Sequence, residues 1–335
     1  MFGPQHLKYI IKYLEGIDFA LSQKMRRSYA PDEPALTNEL CALLDCKTQE
    51  IEKTLSYNLC DLNKDLDSVG DALDFEVSID TYPHNSSMER YVSQSDFGII
   101  LEYENHVLPS TNWSAAYLLQ AKKLYRNSKN NEYDKSSRFM SSDTDQHKRI
   151  ENLNKYLNGH INYILYCPQL LDLTREAQIQ MRALHNKNTA QLIYDYGIGL
   201  EFRDFLTRNK GINSGVWLTT VDEKPKNLAN LHSKSFESAL PFTWFIIEHF
   251  SQRGFSGAFR GLLQDGPIIA RGKGSKNTVV RGIISGDSDI IKKVISEMKE
   301  ENAPENITII PKQSITIKVS VGKSLSPDQA QVSFD

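Results

Sequence analysis

The chain has 335 residues, 40% of them hydrophobic and 24% charged, with 39 Lys and Arg against 42 Asp and Glu for a net charge of −3. That length buries a sizeable core in one large domain or two smaller ones, and the composition is ordinary for a globular protein. The near-balance of charge excludes a surface that attracts polyanions everywhere, so contact with nucleic acid has to come from local basic patches.

Residues 5–29 read as an amphipathic helix, with Leu7, Ile10, Ile11, Leu14, Ile17 and Leu21 at helical spacing. After a break at Ala30-Pro31-Asp32, a second helix starts near Pro34 and carries Leu36, Leu40, Leu43 and Leu44. A third spans roughly Thr48 to Asp67 on Ile51, Leu55, Leu59, Leu62 and Leu66. The period then changes to two: Leu73, Phe75, Val77 and Ile79 alternate with Asp74, Glu76, Ser78 and Asp80, as in a half-buried strand. A polar loop from Tyr82 to Ser95 leads into two strands, Ser95 to Leu101 and Ala115 to Lys122, joined through the turn residues Asn105, Pro109, Ser110 and Asn112. The Ser-, Asn- and Asp-rich stretch 127–146 reads as a mobile loop, followed by a helix over 145–158 and a strand from Ile161 that Pro168 ends. Further helices are predicted at 176–185, 200–208, 242–252 and 288–300, and strands at 215–220 and 314–321.

This order predicts an α/β (α+β) fold: a core with N-terminal helices over residues 1–170, and an additional α/β region over 171–335 that completes the core, binds nucleic acid, or both. Cys41, Cys46, Cys60 and Cys167 form no Cys-x-x-Cys pair and read as reduced thiols of a cytoplasmic protein. The first residues lack the basic region and apolar core of a secretory signal, and no apolar run approaches a membrane span. The eight histidines show no i, i+4 pair, and neither a Walker A loop nor a Gly-x-Ser-x-Gly elbow is present. Zinc, nucleotide-hydrolysis and serine-hydrolase chemistry therefore have no motif to rest on.

The informative feature is Gln120-Ala121-Lys122, closing an apolar strand 24 residues after Asp96. Side chains alternate along a strand, so Gln120 and Lys122 share one face. An acid on one strand then confronts an amide and an ammonium on the next. Phosphodiester cleavage needs charge neutralisation, a positioned water and a stabilised leaving oxygen. Asp96 is suited to a hard divalent cation, Mg²⁺ (or Mn²⁺), with Gln120 and the backbone carbonyl of Ala121 as further oxygen donors and Lys122 beside the phosphate. Gln brings no charge, so a second acid is expected. Glu39, on the second helix, is favoured; Glu89, in the loop before Asp96, comes next. Glu102 lies about 20 Å along the strand and is too far.

An Asp at the start of one strand, followed by a hairpin to a strand ending in (Asp/Glu/Gln)-x-Lys, resembles the PD-(D/E)XK, or restriction-endonuclease-like, superfamily in its Gln-x-Lys variant. The similarity covers roughly residues 34–167, with Ser95 standing where proline is common. It implies a small mixed sheet flanked by helices, and a Mg²⁺-dependent endonuclease acting on nucleic acid, principally double-stranded DNA. It further implies Asp96 as metal ligand, Gln120 as the weaker ligand, Lys122 at the phosphate or water, and Glu39 as the helix glutamate. A role in bacterial restriction or anti-phage defence, as a homodimer or with other defence subunits, follows from the resemblance alone.

Two basic groups are candidates for the nucleic-acid backbone: Lys123 and Arg126 beside the proposed site, and Arg260, Arg271, Lys273 and Lys276 in the glycine-rich stretch 253–281. The alternative is a catalytically inactive nucleic-acid-binding or regulatory module of the same fold. A third reading is an interaction protein whose second half docks a partner.

Overall fold

The computed structural model describes residues 4–70, 73–83, 96–139, 144–184, 212–222, 226–235, 238–250, 275–299 and 311–323. The predicted helix over 200–208, and Glu89, Arg260, Arg271 and Lys273, lie outside the described residues. Helix α1 (Pro4–Met25) buries the stripe from Leu7 to Leu21. Helix α2 (Glu33–Leu44) begins where the Asp32 side chain accepts from the Ala35 N–H at 2.9 Å, with Pro34 in the first turn.

The single helix expected from Thr48 to Asp67 is two: α3 (Cys46–Glu52) and α4 (Leu59–Asp67). Lys53 adopts a left-handed φ of 48° that stops α3. Asn58 restarts the helix through a reciprocal capping box with Asp61. Gln49 holds the joint: its amide nitrogen donates to the Tyr13 hydroxyl (2.8 Å) and the Leu43 carbonyl (2.7 Å), and its oxygen accepts from the Leu59 N–H (2.8 Å). Capping polarity thus overrides the continuous leucine spacing.

The strands are β1 (Phe75–Pro83), β2 (Phe97–Asn105), β3 (Trp113–Tyr125), β4 (Arg138–Phe139), β5 (Ile161–Tyr166), β6 (Val216–Thr220), β7 (Ala239–Pro241) and β8 (Gln313–Val321). They form one mixed sheet in the order β1-β8-β2-β3-β5-β6-β7, with β4 paired to β3. Strand β8 runs antiparallel to β1 and parallel to β2, so segments more than 200 residues apart in sequence lie side by side. Helix α5 (Thr144–Tyr156) carries the crossover from β3 to the parallel β5. The other helices are α6 (175–184), α7 (Leu228–Ser233), α8 (Phe242–Phe250), α9 (Ser275–Ser285) and α10 (Ser288–Lys299). Of the stretch expected to be a mobile loop, 127–139 is instead tied down by Asn127, Asn130 and Asp134 and pairs with β3 through β4, and 144–146 form the first turn of α5.

Helices cover both faces of the sheet. On one face α8 locks onto β3, where the buried His249 bridges the Phe245 carbonyl (2.7 Å) and the Tyr117 hydroxyl (2.8 Å). Nδ1 faces a carbonyl and must donate, so Nε2 accepts from the tyrosine. Asp18 of α1 docks the start of β6, accepting from Ser214 Oγ (2.7 Å) and the Gly215 (2.9 Å) and Val216 (2.8 Å) N–H groups. Gly215 is needed there, since a Cβ would fall 1.9 Å from Ser22 Oγ. On the opposite face α9 packs on β2 and β3, where a Cβ at Gly98 would lie 2.9 Å from Ile284. Among the described residues no helix is long and apolar enough to cross a membrane.

Candidate active site

The β2–β3 register pairs Phe97 with Leu119, which sets Asp96, the residue before β2, opposite Gln120. The Asp96 N–H donates to the Leu119 carbonyl at 3.0 Å. Its Oδ2 accepts from the Gln120 side-chain amide and from the Ala121 N–H, the latter at 3.0 Å. The hairpin therefore brings Asp96 and the Gln-x-Lys segment together. Gln120 is 4% exposed, and its Oε1 is buried with no hydrogen-bond partner. The Ala121 backbone, expected to offer a carbonyl, contributes its N–H to Asp96.

The adjoining strand adds a residue that sequence reasoning did not select. The parallel β2–β8 register pairs Phe97 with Gln313, which puts the exposed Lys312 beside Asp96. Burial pushes the Asp96 carboxyl above its ordinary range. The Ala121 N–H and the Lys312 and Lys122 ammoniums pull it back, and the Glu33 carboxylate pushes it up again. A half-buried acid between two cations, with an unsatisfied amide oxygen beside it, is a charge arrangement suited to a ligand.

The favoured second acid is elsewhere. Glu39 sits 2.7 Å from Lys24, an ion pair that joins α2 to α1. Glu102, judged too far along the strand, pairs with Arg281 of α9 at 2.7 Å. The α2 acid that Asp96 feels is Glu33, whose Oε1 accepts from the Lys123 N–H (3.3 Å) and the Tyr125 hydroxyl (3.4 Å). In the sequence Glu33 reads only as a first-turn acid complementing the helix dipole.

Two of the expected phosphate contacts have other work. Lys123 is 9% exposed and donates to the Ala30 (3.3 Å) and Pro31 (2.8 Å) carbonyls, pinning the α1–α2 loop to β3. Arg126 donates to the carbonyls of Met25, Arg26 and Arg27 at the end of α1 and lies over the Tyr133 ring. These are structural anchors, so the basic cluster beside the site reduces to Lys122 and Lys312. The Lys276 ammonium lies 3.6 Å from the centroid of the Tyr156 ring.

Among the described residues no three His, Cys, Asp or Glu side chains gather as a metal-binding group. Gln120 turns its amide nitrogen to Asp96, so the hard oxygen donor presented at this point is the Asp96 carboxylate. A single carboxylate fits Mg²⁺, which commonly takes one or two protein ligands and completes its shell with water and substrate phosphate. No protein-family model, curated protein or solved structure matches the chain.

Proposed function

We propose that the protein is a Mg²⁺-dependent nuclease with a restriction-endonuclease-like core, hydrolysing phosphodiester bonds in nucleic acid. The observation that carries this reading is the juxtaposition, at one end of the sheet, of Asp96, Gln120 and Lys122 with Lys312 alongside. Asp96, and Gln120 with its amide reversed, would hold the ion, which when bound would neutralise phosphate charge and lower the pKa of a coordinated water. Lys122 and Lys312 hold the phosphate and offset the negative charge that develops during displacement. Burial first, and the Glu33 carboxylate to a lesser degree, keep the Asp96 carboxyl basic. Double-stranded DNA as substrate, and a place in bacterial defence alone or with partner subunits, are parts of the proposal that rest on the family resemblance.

The test is incubation with plasmid, linear DNA and RNA in Mg²⁺ or EDTA, comparing wild type with Asp96→Asn and Lys122→Ala. Cleavage that needs Mg²⁺ and is lost in both variants supports the reading; equal cleavage by all three refutes it. Two observations favour the second reading, a binding module without cleavage: Gln120 already donates its amide to Asp96, and no three-acid cluster gathers among the described residues. That reading requires binding retained in EDTA with no cutting under either condition.

A further inference from the structure

At the same end of the sheet, one strand from Asp96, a cavity of about 250 Å³ opens between the α2–α3 junction and the ends of β1 and β8. Its lining includes Cys41, Asp45, Thr48, Tyr82, Gln313 and Ser314. Pockets for drug-sized ligands run to roughly 300–1,000 Å³, so this one suits a single small ring system. Gln313 donates its amide nitrogen to Asn38 Oδ1 at 2.6 Å, and its Oε1 is buried with no partner. Asp45 adds a carboxylate, braced by the Thr48 N–H (2.8 Å) and the Thr81 hydroxyl (2.8 Å). Burial works against its charge, but those hydrogen bonds prevail and hold the group below the usual carboxylate range.

The Thr48 and Thr81 hydroxyls donate to Asp45, and that carboxylate is the charged group of the lining. A phosphate is therefore repelled, whereas a group with N–H donors is attracted to the Asp45 carboxylate. Tyr82, 55% exposed, supplies an aromatic ring at the rim. Successive residues of a strand project to opposite faces, so Lys312 and Gln313 serve the two sides of one strand end. We propose that this cavity binds an unpaired nucleobase bearing an amino group, on the strand whose phosphate lies at Lys312 and Asp96. The inference rests on the nucleic-acid reading above and deepens it. Stacking on Tyr82 and donation to the Asp45 carboxylate require a base free of its duplex partner, as in single strands or a flipped nucleotide.

The experiment measures binding of the full-length protein, in EDTA, to two labelled single strands of equal length. One carries adenine and cytosine, whose exocyclic amines are donors; the other is abasic and keeps the same phosphates. The base-bearing strand is expected to bind roughly tenfold more tightly, the increment of one stacked base. Tyr82→Ala and Asp45→Asn, each checked for an unchanged circular dichroism spectrum, should both reduce that advantage. Tyr82 is exposed, so its variant tests the site even if Asp45→Asn fails to fold. Equal affinity for the two strands, or an advantage that survives Tyr82→Ala, overturns the base site and leaves the phosphate contacts standing. Binding of neither strand overturns the base site, while the nuclease reading stands or falls separately on the Mg²⁺-dependent cleavage assay.

Discussion

Replacing Asp96 by Asn and by Ala separates what the carboxylate does for the fold from what it does for the reaction. Both recorded hydrogen bonds to the side chain, from Gln120 and from the Ala121 N–H, fall on Oδ2. Asn can place its single oxygen there and keep both, while shedding a charge that burial disfavours. Ala keeps neither and leaves two donors without an acceptor, at about 1–3 kcal/mol each. Asp96→Asn should therefore be as stable as wild type or up to ~1 kcal/mol better, a melting shift of about 2 °C. Asp96→Ala should lose about 2–6 kcal/mol. The pH dependence has a definite sign. The Asp96 pKa is higher folded than unfolded, so wild type loses stability as pH rises from the ordinary value of about 3.9 through the raised one. The Asn variant lacks that loss, so its relative advantage is absent in acid and grows towards neutrality. Urea unfolding across this range, with a Mg²⁺-dependent nicking assay at neutral pH, reads both effects. Gained stability with cleavage reduced by more than ~100-fold is the signature of a group kept for chemistry. An Asn variant as unstable as the Ala one would refute the Oδ2 geometry, and an Asn variant that still cuts would remove Asp96 from the reaction.

Lys312→Ala should weaken nucleic-acid binding and lower the slope of log affinity against log salt by about 1, with unfolding unchanged; an unchanged slope removes Lys312 from the phosphate site. Glu15, which burial and the neighbouring Asp18 push up to about 8, stays protonated in the folded chain at neutral pH. The folded state holds a proton that the unfolded chain releases above about pH 4.3, so stability falls as pH rises from there to about 8 and is flat beyond. Glu15→Gln should abolish that decline, and urea midpoints that still fall equally between about pH 5 and about pH 9 would contradict it. Arg126→Ala should destabilise by about 1–3 kcal/mol, through lost bonds to the α1 carbonyls and lost contact with Tyr133. Cleavage per folded molecule should stay the same; selective loss of cleavage would restore Arg126 to the phosphate.

Much of this architecture is legible where a local period controls it. The stripe from Leu7 to Leu21 specifies α1, and the hairpin is readable because its strands are close in sequence and their register follows from the turn. Even the separation of Lys123 from Lys122 was available, since alternation sends neighbours to opposite faces. Glu33 and Glu39 are harder to rank. Both precede buried leucines on α2, and only the packing of α2 against α1 sends Glu39 to Lys24 and leaves Glu33 near the strand end. Arg126 looks like a free cation until the end of α1 is placed beside it.

The largest hidden element is β8. An alternating strand near residue 314 can be found from its period, but the period cannot say which strands it joins. Its parallel pairing with β2 is a long-range contact set by the assembled core. Because β8 lies between β1 and β2, it fixes the neighbour of Asp96 and brings both Lys312 and Gln313 to this end of the sheet. A site that looks local in sequence, one acid and one tripeptide on a hairpin, is thus completed by a strand distant in sequence. Its phosphate-facing charge and its neighbouring cavity both depend on that last strand being docked.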